Sequence, residues 1–368
     1  MTKVRYIGLD VHKETIVIAT ADAGREPAMK LATIPSDARR LLVRLRTLTP
    51  KDGRLVVCYE AGPTGYGLYR RLCEAGIECH VVAPSLVPTK AGDRVKTDRR
   101  DAVRLAHFLR SGDLTDVYVP DEADEALRDL ERARDAAKRA ERTARHQLSK
   151  FLLRHDRRYN KSGNWTLGHL EWIRRLKFEH AAQQRVLNDY LKTVEDATER
   201  VARLTSDIEE LVESSALAPL ITALQAFRGI ALVSAVTIAC EVGDLRRFST
   251  AGQFMSYVGL VPSEDSSGQR RRQGSITRAG NSHLRRILVE AAWHYRYLPT
   301  MSRELRRRNR PVAEGVRRIA WEAQKRLHRR LFHLIHKGKN SKAAVIAVAR
   351  ELAGFVWSVA QEPELLAT

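Results

Sequence analysis

Four carboxylates in the first part of the chain could do chemistry together: Asp10 in GLDVHKE, Glu60 in CYEAGPTG, and Asp98 and Asp101 in KTDRRDA. Asp10 closes the apolar run YIGLD and Glu60 closes LVVCYE, so each is expected at the end of a buried strand. Asp98 and Asp101 are three residues apart, a spacing that places both on one face of a helix. Four negative charges in a confined space repel one another. Divalent cations with oxygen ligands relieve that repulsion, and Mg²⁺ fits such ligands best. Two such ions about 4 Å apart activate an attacking oxygen and stabilise a leaving one in phosphoryl transfer. An Asp at a strand end also serves as an ordinary turn or cap. The metal reading therefore rests on the acids acting as a set.

The elements that must position them follow from periodicity. Strands are expected at 4–11, 15–22, 28–34, 54–59 and 78–83. Amphipathic helices are expected from a Ser36 cap to about 48, at 66–75 and at 98–109. Three strands, helix, strand, helix, strand, helix is the element order of a ribonuclease H-like (RuvC-like) mixed sheet. In that fold the first and fourth strands are neighbours, which would set Asp10 beside Glu60. From 121 to 215, Leu127, Leu130, Ala137, Ala144, Leu148 and Phe151, then Leu187, Leu191, Val194, Val201, Ile208 and Val212, recur at heptad spacing. They predict two long helices interrupted at 160–165, packed as an antiparallel hairpin or against another subunit. The remainder reads as helical with short loops, including a degenerate helix–hairpin–helix around Arg228-Gly229-Ile230-Ala231. The expected architecture is thus α/β plus α, in three domains: 1–120, 121–215 and 216–368.

Charge narrows the partner. The 368 residues carry 64 Lys and Arg against 44 Asp and Glu, a net +20. Between 268 and 342 there are 21 basic and only 4 acidic side chains. One strongly positive surface is implied, which suits a polyanion, nucleic acid before all others. A ribosome- or membrane-associated protein has a similar composition. Arg270, Arg271 and Arg272, then Arg278, Arg285 and Arg286 near the start of a helix, are the candidate phosphate contacts. Cys58, Cys73, Cys79 and Cys240 form no C-x-x-C pair, which argues against structural zinc. The N-terminus lacks the apolar core of a signal peptide, and the strongly apolar run at 230–240 is about half a bilayer span. A cytoplasmic protein with no membrane partner is expected.

In combination these motifs resemble one family, the DEDD transposases of insertion sequences, also described as bridge-RNA-guided recombinases. The resemblance is carried by GLDVHKE, YEAGPTGYGLY and KTDRRDA, and further on by FRGIALVSAVTI, FMSYVGLVPSEDSSG and GSITRAGNSHLRR. It implies that Asp10, Glu60, Asp98 and Asp101 are the metal-binding acids and that Ser267, directly before a glycine, is the nucleophile. The serine would attack a DNA phosphate, leaving a 5′-phosphoserine and a free 3′-OH, and the exchanged strands would then be rejoined. The resemblance further implies element and target DNA as partners, a structured non-coding guide RNA, and a homo-oligomer, dimer or tetramer. Where the family carries Pro-Gly-Ile-Gly in the helix–hairpin–helix, this chain has Arg228 and Ala231 in place of the first and last residues.

Other readings remain open on the residues alone. A ribonuclease H-like junction resolvase or nuclease would use water, leaving Ser267 incidental. An actin-like sugar kinase shares the GLDVHKE opening, but no adenosine-binding segment follows. A non-catalytic nucleic-acid scaffold would leave the four acids unexplained.

Overall fold

In a computed structural model, which describes residues 3–88, 98–265 and 272–362, three successive strands open the chain: β1 (Lys3–Val11), β2 (Thr15–Asp22) and β3 (Met29–Pro35). Continuous buried runs, Ile7 to Leu9 in β1 and Ile16 to Ala19 in β2, mark strands covered on both faces; β1 and β2 pair antiparallel, and β3 adds antiparallel to β2. Helix α1 (Ala38–Leu48) then returns the chain to β4 (Gly53–Glu60), which lies parallel to β1, and α2 (Gly67–Glu74) leads to β5 (Glu78–Val82), parallel to β4. The five-stranded mixed sheet has the order β3-β2-β1-β4-β5. The cap of α1 is Asp37, not Ser36: its carboxylate accepts from the Arg40 N–H at 2.8 Å, the bond that an N-cap makes to the third helical residue.

Strand parity assigns the faces. Ile7, Leu9, Val57 and Tyr59 point one way and pack with Leu41, Leu45 and Leu72 of α1 and α2. Gly8 and Cys58 point the other way, toward α3 (Asp98–Ser111), whose Ala102, Leu105 and Ala106 are buried. The chain divides into two compact units, and these elements belong to the first, Met1–Val119.

The second unit, Pro120–Thr368, is almost wholly helical in its described residues. It opens with α4 (Glu122–Arg154) and α6 (Ala181–Val212), which pack antiparallel: Ala137 meets Val201 and Leu204, while Leu148 and Phe151 meet Leu187 and Val194. The heptad seams are thus packed within one chain. The break between the two long helices is wider than the expected 160–165, because it holds a further helix, α5 (Leu167–Arg175), capped by Thr166. One large core then joins α7 (Ala218–Leu224), α8 (Leu232–Val242), α9 (Ala251–Val258), α10 (Ser282–Ala292), α12 (Glu314–His336) and α13 (Ser341–Val359) around Phe227, Phe254 and Tyr295. A short helix, α11 (Arg303–Asn309), precedes α12, and a two-stranded hairpin, β6 (Pro262–Glu264) with β7 (Gln273–Ile276), lies between α9 and α10. The molecule is therefore mixed α/β and mostly helical, with thirteen α-helices among the described residues. None of these helices is long and apolar enough to cross a membrane.

Candidate metal centre and basic helical unit

Asp10 and Glu60 follow from strand parity. Leu9 pairs with Tyr59, so the next residue on each parallel strand brings Asp10 and Glu60 side by side at the strand ends. Both share the parity of Gly8 and Cys58 and lie on the α3 face. Gly8 sets how closely α3 can approach. A β-carbon there would lie 2.3 Å from the Ala102 carbonyl oxygen and 2.4 Å from the Ala106 nitrogen, so only glycine admits the helix backbone. Helix α3 starts with Asp98 and has Asp101 one turn further on, on its buried side.

The three segments converge. Nε2 of His12 lies 3.1 Å from a carboxylate oxygen of Asp10 and 3.7 Å from one of Asp98. One donor atom from each of Asp10, His12 and Asp98 can be chosen so that all lie within 4.8 Å of one another. Arg104 links the other pair, its guanidinium 3.1 Å from Asp101 and 3.8 Å from Glu60. Burial pushes the pKa of Asp10 up, and the negative charges of Asp98 and Asp101 push the same way against the opposing effect of His12. Asp10 therefore senses both acids of α3. This donor set, carboxylate oxygens with one imidazole, with Asp10 half-buried and His12 and Asp98 exposed, fits a divalent cation.

Sequence reasoning missed His12 and Arg104. His12 lies two residues past Asp10, at the same parity, and Arg104 lies three residues past Asp101 on one helix face. Neither residue is acidic, so neither stands out in a set defined by carboxylates.

The second unit holds the remaining candidates. Ser267, Arg270 and Arg271 lie outside the described residues, as does the neighbouring Ser266. The residues that bracket them are joined: the Asp265 N–H donates to the Arg272 carbonyl at 2.9 Å. Two glycines seat this hairpin on α9. A β-carbon on Gly259 (φ +72°) would meet the Ala279 carbonyl oxygen at 2.0 Å, and one on Gly280 (φ +79°) the Tyr257 carbonyl oxygen at 1.9 Å. The YVGLV and RAGN motifs are thus where two stretches of backbone cross. Between them Arg278 is exposed and holds φ +57°, a left-handed backbone rarely taken outside glycine.

The other candidate arginines are engaged within the protein. Arg285 donates to the carbonyls of Val258 at 2.9 Å and Ala279 at 3.3 Å. Arg286 pairs with Asp135 of α4 at 2.7 Å. Beside them, Glu241 of α8 accepts from Arg132 at 2.7 and 3.0 Å and from Asn281, the N-cap of α10, at 2.6 Å. Buried acids thus tie α4 and α8 to the start of α10. At the turn before α8, Gly229 (φ +84°) passes so close to α10 that a β-carbon would meet the Ala291 carbonyl oxygen at 2.6 Å. Arg228 donates to the carbonyls of Leu298 and Thr300.

An acidic rim on a mixed sheet, in a chain with a strongly basic helical unit, is the equipment of an enzyme that processes nucleic acid. Residues 7–155 match a family model described as Transposase, of the IS110 DEDD type, and residues 221–305 match one described as Transposase IS116/IS110/IS902 family. The chain is 45% identical to a putative transposase, y4qE, of Sinorhizobium fredii over 97% of its own length and 88% of the relative's. It is 33% identical to the transposase for insertion sequence element IS1533 of Leptospira borgpetersenii, over 92% of this chain and 99% of that one. A probable family 20 transposase of Pseudomonas aeruginosa is 30% identical over 78% and 82% of the two chains. The chain belongs to the IS110-type family of insertion-sequence transposases, enzymes that act on DNA.

Proposed function

We propose that this transposase cuts and rejoins DNA through a covalent 5′-phosphoserine on Ser267, assisted by Mg²⁺ held at Asp10, Glu60, Asp98 and Asp101. The observation that carries the reading is the convergence of acids from β1, β4 and α3 at one rim, with Asp10 sensing both acids of α3. The strand order 3-2-1-4-5, in which β2 alone runs opposite to the other four strands, supports a ribonuclease H-like (RuvC-like) assignment for the first 120 residues. Under this reading residues 121–215 form the coiled-coil region and 216–368 the serine transposase domain.

Bound at the rim, the cation would lower the proton affinity of an attacking oxygen and offset charge on the phosphate. The protein's own groups do the rest. The Ser267 oxygen forms a bond to phosphorus while its proton leaves to a carboxylate. The bond from phosphorus to the 3′ oxygen breaks, and that oxygen takes up a proton as the free 3′-OH. Rejoining is the reverse, with a 3′-OH of the exchanged strand displacing the serine, so the phosphodiester energy is retained in the ester. Arg270, Arg271, Arg272 and Arg278 would offset the phosphate charge. Arg285 and Arg286 would act from beneath, holding the start of α10. Sequence choice would come from a structured guide RNA, and a dimer or tetramer would bring the two DNA partners together.

The test is a denaturing gel of end-labelled element DNA incubated with the protein, its RNA and Mg²⁺. A slow band that collapses on protease treatment is expected. Clean cleavage without that band would instead indicate attack by water.

A further inference from the structure

Helix α12 buries Val316, Ala320, Ala323, Leu327 and Leu331, and turns a different face to solvent. On that face Trp321, Lys325, Phe332 and His336 recur at helical spacing, with Arg318 and Arg329 along one edge. Trp321 and Phe332 remain 36% and 37% exposed. The Lys325 ammonium lies 6.0 Å from the Trp321 ring centre, and the Phe332 ring packs between the rings of His328 at 4.8 Å and His336 at 6.3 Å. A loop at the edge repeats the pattern. Tyr297 is 53% exposed, with the Arg296 guanidinium 4.8 Å from its ring centre. That loop is fastened to α12 on both sides, by His328 to the Tyr295 carbonyl at 3.0 Å and by the Thr300 N–H to Gln324 at 2.8 Å.

We propose that this face of α12, with Tyr297 at its edge, stacks the bases of an unpaired segment of DNA. Charge and shape both select that occupant. Between 314 and 337 there are seven Lys and Arg against two Glu, so a polyanion is favoured. Phosphates alone give no reason for exposed rings. In a duplex the bases stack on one another and offer no face to a side chain, whereas an unpaired strand presents both base faces and backbone charge. Trp321 and Phe332 are eleven residues apart, about 16 Å along the helix, which is about five nucleotides at the stacked spacing of 3.4 Å. Cutting and exchanging strands exposes such segments. The inference rests on DNA being the substrate and not on the serine chemistry, so a chain that cannot cleave must still show it.

The test is fluorescence anisotropy of the full chain, with EDTA present, against a labelled twelve-nucleotide dT strand and a blunt duplex of equal length. Trp321→Ala and Phe332→Ala should each weaken binding of the strand about five- to tenfold and change duplex binding less than twofold. Trp321→Phe should keep most of the affinity while removing the quenching of indole fluorescence that the strand causes in the wild type. Equal losses on strand and duplex would overturn the proposal, as would no loss on either. A loss confined to a matching U-rich RNA strand would overturn it in favour of RNA. Should an alanine variant fail to melt cooperatively, the quenching decides: wild-type quenching that Trp321→Phe retains overturns the proposal.

Discussion

A β-carbon on Gly8 would sit 2.3 Å from the carbonyl oxygen of Ala102. The obstacle is helix backbone, which cannot rotate away as a side chain can. Gly8→Ala should therefore push α3 off the sheet and carry Asp98 and Asp101 away from Asp10. Overpacking of this kind costs about 1–3 kcal/mol. Activity should fall further than stability, by about a hundredfold, since displacing catalytic groups by 1 Å is enough for that. Thermal melts and strand-cleavage rates on one preparation check both halves. Normal cleavage in Gly8→Ala would mean that the spacing of α3 does not matter.

The acid rim gives a prediction in which stability and activity move oppositely. The Asp10 pKa is raised, first by burial and then by Asp98 and Asp101. A carboxyl raised on folding contributes stability that is lost as pH rises through its folded pKa, so at neutral pH without a cation its ionised form works against folding. Asp10→Asn should melt higher than the wild type in EDTA and should fail to cleave. Millimolar Mg²⁺ should raise the melting temperature of the wild type and leave that of Asp10→Asn nearly unchanged. Glu60→Gln, Asp98→Asn and Asp101→Asn should likewise lose cleavage while retaining DNA binding. An Mg²⁺ response that survives in all four variants would place the cation elsewhere.

Two buried carboxyls of the second unit should respond to pH in opposite directions. Burial raises the pKa of Glu131, outweighing its bond from the Thr237 hydroxyl. Burial also acts upward on Glu241, but the bonds from Arg132 and Asn281 together outweigh it and leave the pKa lowered. Stability from Glu241 is therefore present above its unfolded pKa and lost as pH falls through the folded one, while Glu131 loses stability as pH rises. At neutral pH Glu241→Gln should destabilise by about 1–3 kcal/mol, and Glu131→Gln should stabilise. Melts from pH 3 to 8 should show the Glu241→Gln deficit shrinking toward acid. A deficit that stays constant with pH would leave only packing as its cause.

What the sequence made legible is what local pattern controls. The sheet strands were readable because alternation and apolar runs are short-range signals, and the β1–β4 neighbourhood followed from element order. Asp37 outranked Ser36 as a cap because capping depends on one residue's backbone angles, which two adjacent polar residues do not reveal. Helix α5 was missed because nine residues between two long heptad helices give too few turns for a period. The roles of Arg285 and Arg286 were unreadable, since their partners, the Val258 carbonyl and Asp135, lie 27 and 151 residues away. The charge of the basic stretch was legible. Which of its arginines face solvent was not.

Arg278 separates those roles. It is exposed, with a left-handed backbone that costs a non-glycine residue about 1 kcal/mol. Arg278→Gly should hold or slightly raise the melting temperature. If the guanidinium meets a phosphate, the variant should bind DNA more weakly across sequences, with the salt slope of log affinity reduced by about one. Titrations at several salt concentrations give the slope, and an unchanged slope would remove Arg278 from the DNA contacts. Arg286→Gln should behave differently, losing stability because the buried Asp135 loses its 2.7 Å partner and keeps the longer 3.5 Å pairing with Arg139.

Ser267 is where the proposed chemistry is most exposed to test. Between cleavage and rejoining some atom must hold the 5′-phosphate, and a water molecule cannot. If serine is that atom, Ser267→Ala should bind DNA and melt as the wild type does, yet form no covalent adduct and release no 3′-OH. Ser266 offers the same hydroxyl one residue earlier, so Ser266→Ala is the necessary partner and should keep substantial activity. Ser267→Cys adds a chemical check: a thiolate is a strong nucleophile, but its phosphorothioester would alter how readily the strand is rejoined. Labelled DNA, denaturing gels and protease digestion read all three variants. An adduct that persists in Ser267→Ala and disappears in Ser266→Ala would move the nucleophile by one residue. Cleavage that persists in both, with no adduct in either, would assign the attack to water activated at the acid rim.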